Sequence, residues 1–440
     1  METNKKNGEF LEYHHNRNIS SRTNYINGKL QGECCEYYPT GKLKTKAHYQ
    51  ANLLNGDFSE YYDNGKLKLT ATYEAGKKRG ESTEYYANGN IKAKSHHQDN
   101  LLHGEHIWFH NNGVMLSKSN YNQGIRDGEY REFYQTNDLK LEVSLINGKE
   151  NGECKEYYIN EKIKIKADYK DGKKSGECIT YQENGNIIIK AHYQADKKHG
   201  EYISYSEDGS IKFKANYKDE IYDGEVREYY PGGKIKQIAN YKDGIKDGEY
   251  LIYLEDGNIK LEANYKNDLY DGSYLDYFYS GVCRLKSSYR SGIREGLYIE
   301  YYGNGDKKIE ANYQIGRLHG NYTWYNTSGE VLGKINYRYG KKHGNDFSFY
   351  PDGSKMMESY YDYGKKEGES REYYAIGTLK SIKTYLNNRL DGKYTKYYAN
   401  GNLMLELNYK RDKKDGEYIE YDEDGVVTIK QNYKEGVLVE

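Results

Sequence analysis

The residues best able to do chemistry stand out against a repetitive background. His96, His106, Trp108 and His110 form the densest cluster. Paired imidazoles suggest zinc, which takes four ligands, or three and an open position. His106 and His110 would stand about 13 Å apart along an extended strand, too far to share one ion. His96 and His106 have no third or fourth ligand beside them, so the expectation is a polar surface with no metal or cofactor. Trp108 and Trp324 are the two tryptophans, and Tyr322 lies close to the second. Exposed large aromatics anchor protein partners; the alternative is that these rings cap a locally curled sheet. Lysines recur at alternate positions, as Lys164 and Lys166, or Lys212 and Lys214. Such rows could track anionic lipid headgroups. They could equally form a solvated face, with Lys balanced by Glu on neighbouring strands.

Enzyme motifs are missing. No Gly-x-Gly-x-x-Gly opens a helix, no phosphate-binding loop is present, and no Ser, His and Asp set breaks the pattern. Carboxylate pairs recur throughout, as structural residues do. The chain reads as a non-enzyme.

These residues are carried by a repeat. Glycine stands at 8, 32, 56 and every 24th residue to 416, with no insertion or deletion. Residues 1–8 read as a partial repeat tail and 9–440 as 18 units in one array. Offsets are counted from each of these glycines. Offset +5 is aromatic in every unit, and +17 is Tyr except at His97 and Leu145. Offset +9 is Gly except at Arg17, Asn137 and Glu161, and +20 is Gly, Asn or Asp except at Glu220. Those residue types tolerate a left-handed backbone, so +9 and +20 read as turns. Pro39, Pro231 and Pro351 all sit at +7, a turn corner.

Two strand-like runs lie between the turns. In one unit the second run puts Ile211, Phe213, Ala215 and Tyr217 on one face and Lys212, Lys214 and Asn216 on the other. Centring the turns on +8 and +21 places +5 opposite +11, +17 opposite the next +1, and +15 opposite the next +3. All odd offsets then share one face. His96 and His106 become directly opposed on the even face, where both tryptophans, at +4, point outward. The predicted fold is all-β: an elongated array of hairpins in a twisted antiparallel meander.

Composition fits a thin core. Mean hydropathy is −1.09, and 55 tyrosines supply the apolar area that aliphatic residues do not. The formal charge of −1 speaks against a nucleic-acid partner. No 18-residue apolar stretch marks a membrane span, and the first residues carry no apolar leader core. A cytoplasmic location is expected, peripheral to a membrane if lipid is bound. Cys154 and Cys178 share one slot in successive units, about 9–10 Å apart, beyond disulfide reach, and are expected as reduced thiols. The first and last units are in the same phase, and open strand edges lead to the expectation of end-to-end self-association.

The segments Gly172-Lys-Lys-Ser-Gly-Glu177, Gly244-Ile-Lys-Asp-Gly-Glu-Tyr250 and Lys413-Lys-Asp-Gly-Glu-Tyr418 resemble the MORN-repeat variant, in the form found in bacterial antitoxins of the YwqK type. The resemblance spans essentially the whole chain. It implies β-hairpin arrays, scaffolding, association with phospholipid membranes, and in some members neutralisation of a partner toxin. Kinase or methyltransferase domains joined to such repeats elsewhere have no counterpart here. Asn137, Glu161, Lys307 and Lys355 depart from the pattern, which puts the regularity of their units in question. The leading expectation is a scaffold that binds an unidentified protein along a Tyr/Lys/Glu face. Anionic membranes and a toxin are the alternatives.

Overall fold

The computed structural model describes residues 5–439 and contains 38 strands. Met1–Asn4 of the expected tail, and Glu440, lie outside the described residues. Contacts divide the chain into two units, meeting between Ile221 and Tyr222. In each, strands of mostly 8 or 9 residues pair antiparallel with the strand before and the strand after, as Ile163–Lys170 does with Lys149–Tyr157 and Lys173–Tyr181.

Both turns follow from backbone handedness. The first is a three-residue loop in which the +9 amide donates to the +6 carbonyl, and +9 is left-handed. That is a type I turn closed by a left-handed residue, and proline suits its corner at +7. The second is a two-residue loop at +19 and +20 with positive φ at both, as at Ala51 (50°) and Asn52 (75°). This primed turn matches the twist of the strands it joins.

The first hairpin closes as expected, with Tyr37 opposite Leu43. The next pair is Glu36 with Thr45, so the second strand carries one extra residue, a β-bulge. The second hairpin is centred between +19 and +20, not on +21. Tyr49 therefore faces Leu54, and after a further irregularity Ala47 faces Phe58. Offset +15 meets the next +2, one residue away from the expected +3. A one-residue slip exchanges the face of every side chain. The expectation that all odd offsets share a face is overturned: +2 and +4 lie with +13, +15 and +17.

That face holds the core. Alanines at +15 form a row that is essentially fully covered, as at Ala167, Ala215 and Ala263. Tyrosines at +2 and +17 meet edge to face beside it, with centroids 5.3 Å apart for Tyr250–Tyr265 and 5.6 Å for Tyr298–Tyr313. A cation from the preceding turn rests over such rings, as Lys246 does over Tyr250 and Tyr265 at 4.9 and 5.1 Å. On the opposite face +14 lysines pair with +1 glutamates, as Lys46 with Glu33 (3.0 Å) and Lys190 with Glu177 (2.8 Å).

Units are also joined by tyrosine at +6. Its hydroxyl donates to the +5 carbonyl of the next unit: Tyr38 to Tyr61 (2.7 Å), Tyr158 to Tyr181 (2.7 Å) and Tyr374 to Tyr397 (2.9 Å). Each such bond contributes about 1 kcal/mol. The irregular units keep the same architecture. Asn137 and Glu161 adopt the left-handed turn position at φ 75° and 66°, while Lys307 and Lys355 pair with Tyr301 and Phe349 in the usual register.

Candidate interaction surface

The register separates the predicted histidines. His96 pairs with Glu81 and is exposed, lining an open polar hollow of about 560 Å³ with Lys94 and Glu105. His106 pairs with Ser95 and Ser119, is buried, and shares a hydrogen bond of 2.8 Å between its Nδ1 and the Ser95 hydroxyl. The two are therefore not opposed, as straight pairing had them, but lie on different faces. His106 stands where +2 tyrosines stand elsewhere, edge-on to Trp108 (5.4 Å) and Tyr121 (5.6 Å). His110 takes the +6 slot, and its Nε2 is buried without a hydrogen-bond partner. At the same offset His14 reaches the Tyr37 carbonyl at 2.9 Å. Among the described residues no three His, Cys, Asp or Glu side chains converge as metal ligands.

The histidine that does approach His106 is His97, which replaces the +17 tyrosine. Its Nδ1 lies 3.3 Å from the Ser82 hydroxyl. Burial first, then the charges of Lys78, His106 and His96, against a small opposing effect of Glu84, lower its pKa to about 4. Between pH 6.5 and 4 the unfolded chain therefore binds a proton that folded His97 refuses. Stability is expected to fall as pH falls through that window. His97→Tyr restores the usual ring and should lose that component. Urea unfolding of both proteins at pH 7 and 4.5 checks it: an equal loss in both would exclude His97 as a source.

The tryptophans sit on the core face rather than pointing away from it. Each is half-buried and crosses onto a small +13 residue: Trp108 pairs with Ser117 and Trp324 with Gly333. Gly333 has no Cβ because the ring occupies its place; a Cβ there would stand 2.0 Å from Cζ2 of Trp324. Both units also carry Leu at +12, Leu116 and Leu332, where Lys is common. Around Trp324 this leaves an open hollow of about 470 Å³, walled by Tyr302, Ile309, Tyr322, Leu332 and Tyr337. Lys308 and Lys342 at its rim are paired with Glu300 (2.8 Å) and Asp346 (3.0 Å). Sequence reasoning named Tyr322 and Trp324 but missed the aliphatic walls. The coincidence of Trp at +4, Gly at +13 and Leu at +12 was the available signal.

The lysine rows are largely compensated. Lys164 pairs with Glu156 (2.7 Å), Lys166 with Glu153 (2.8 Å) and Lys214 with Glu201 (2.6 Å). Lys212 is exposed and forms no ion pair among the described residues, because its unit has Ser204 where +4 is often Glu. Cys154 and Cys178 are free thiols held protonated by burial, which pushes Cys154 up to about 11.

No curated protein matches the chain. Similar solved structures include the TcdB2-TccC3-Cdc42 crystal structure, at 11% identity and a TM-score of 0.15. Another is the Photorhabdus luminescens Tc holotoxin pore, at 10% and 0.16. This chain spans only 28% and 27% of those chains, although 98% and 97% of it is covered, and at such TM-scores the likeness carries no argument. The repeat itself is more telling. The MORN repeat variant model matches 30–51, 54–75, 78–99, 102–123, 150–171, 174–195, 198–219, 222–243, 246–267, 294–314, 318–339, 366–387, 390–411 and 414–435. It passes over the units holding Arg17, Asn137, Cys283 and Lys355, whose hairpins nonetheless keep the common register. With most of its length matched, and each match one hairpin of the array, the chain belongs to the MORN repeat variant family.

Proposed function

We propose that this chain is a non-enzymatic repeat scaffold that binds a partner protein on its tyrosine face, with the Trp324 hollow receiving an apolar side chain of the partner. The hollow is the observation that carries this reading. It interrupts a regular row with a half-buried tryptophan, aliphatic walls and cations already neutralised by Glu300 and Asp346. Large aromatics in such settings dominate binding energy, and a balanced rim suits a neutral apolar anchor. Binding to anionic membranes through the lysine rows has less support, since Lys164, Lys166 and Lys214 each lie against a glutamate. Toxin neutralisation would be one form of protein binding.

Affinity capture from the native host, followed by measurement with the purified partner, tests the reading. Trp324→Glu, which installs the residue commonest at that offset, should weaken binding at least tenfold, a loss of about 1.4 kcal/mol or more. Lys214→Ala, on the other face, should leave it unchanged. Equal binding by the Trp324 variant would remove the hollow from the interface.

A further inference from the structure

The second departure from regularity on the core face is electrostatic. In the units between Gly344 and Gly416 the small +15 residue becomes Lys383, the opposing +2 tyrosine becomes Ser370, and the acidic +4 residue becomes Lys396. The first two changes compensate in volume, because Ser370 and Lys383 are direct partners. Lys396 pairs with Ser381 on the preceding strand, two residues along from Lys383. Lys366 comes from the turn before and lies over Tyr385 at 4.6 Å, while Lys383 lies over Tyr394 at 5.4 Å.

The carboxylates on this face are already engaged. Asp346 holds Lys342 at 3.0 Å, and Glu372 holds Lys380 at 2.7 Å and the Ser381 hydroxyl at 3.3 Å. Lys366, Lys383 and Lys396 form no ion pair among the described residues. Burial, then the charge of Lys383, lowers the pKa of Lys366, against an opposing effect of Asp346, which agrees with ammonium groups that outnumber the carboxylates near them. The buried Ser359 and Ser370 hydroxyls, 2.8 Å apart, lie in the same row. Many lysines elsewhere lie against a glutamate, as Lys46 with Glu33 or Lys164 with Glu156, whereas Lys212 and Lys246 form no ion pair among the described residues.

We propose that Lys366, Lys383 and Lys396 form a binding site for a phosphate-type oxyanion. Three point charges on flexible stems suit a multiply charged anion with several acceptor oxygens better than a single carboxylate. The rings of Tyr385 and Tyr394 restrict Lys366 and Lys383 from folding away. The proposal is independent of the Trp324 hollow.

Pyrophosphate titrated into the full chain by calorimetry is the direct probe. Flotation with phosphatidic acid vesicles, against phosphatidylcholine vesicles, is the second arm. The variant is Lys383→Met with Lys396→Glu: methionine keeps the volume that Lys383 supplies opposite Ser370, and glutamate is the residue usual at its offset. Lys366→Leu, matching Leu390 at the same offset, is an independent second variant. Saturable binding of either ligand, reduced at least tenfold in both variants, is the expected result. Pyrophosphate binding would name a soluble source and vesicle binding a lipid headgroup. If neither ligand binds, or the variants bind as well as the native chain, the site is overturned.

Discussion

Gly392→Ala should destabilise its part of the array by about 2–4 kcal/mol, whereas Gly296→Ala at the same offset should cost only about 1–2 kcal/mol. Both glycines are left-handed, at φ 117° and 81°. A Cβ at Gly392 would stand 3.0 Å from Cβ of Thr384, a branched atom fixed to the backbone of the neighbouring strand. At Gly296 nothing lies within 4 Å. The left-handed cost is common to both, and the collision belongs to one. Denaturant unfolding of the two variants, with hydrogen exchange on strands Leu379–Leu386 and Arg389–Tyr397, measures the difference. Equal losses would mean that the glycines are present for backbone freedom alone.

The same positions explain what could be read in the sequence and what could not. The period, the hairpins and both turn regions were legible because Gly, Asn and Pro mark special backbone conformations directly. Which side chains shared a face was not, since straight pairing allows for no bulge. The positive φ at the repeat glycine accompanies the second irregularity, where Ala47 moves to face Phe58. An invariant glycine outside the two turns was the visible sign of it. Read as a mere phase marker, it left His106 on the wrong face and opposite the wrong partner. The Trp324 site was half legible: the aromatic residues were conspicuous, but their walls come from +12 and +13, which straight pairing placed on different faces.

Gly333→Ala is expected to lower stability by about 1–3 kcal/mol and to shift tryptophan fluorescence. Gly333 is not left-handed, so alanine there should by itself gain about 0.4–1 kcal/mol by restricting the unfolded chain. The ring of Trp324 reverses that sign, because it fills the volume the methyl group would take. In a Trp324→Glu background the same substitution should become neutral or stabilising. A double-mutant cycle by thermal unfolding would then give a coupling of about 1–3 kcal/mol. Additive effects would mean that the ring moves aside freely and that the hollow is not preorganised.

Wherever +6 is tyrosine, the hydroxyl that crosses to the next unit ends on a main-chain carbonyl, as from Tyr158 to Tyr181. The stacked turns are joined in the same way, with the Gly76 amide reaching the Leu54 carbonyl and the Asn52 side chain accepting from the Leu30 amide. A joint made to backbone does not read the identity of its neighbour. Whole units can thus be gained, lost or reordered by in-frame exchange without inventing a new interface. Trp324 and Lys383 lie on the face, away from these joints. Neighbouring units therefore form an address together, since each site described draws side chains from two or three of them, while the seams between them stay interchangeable.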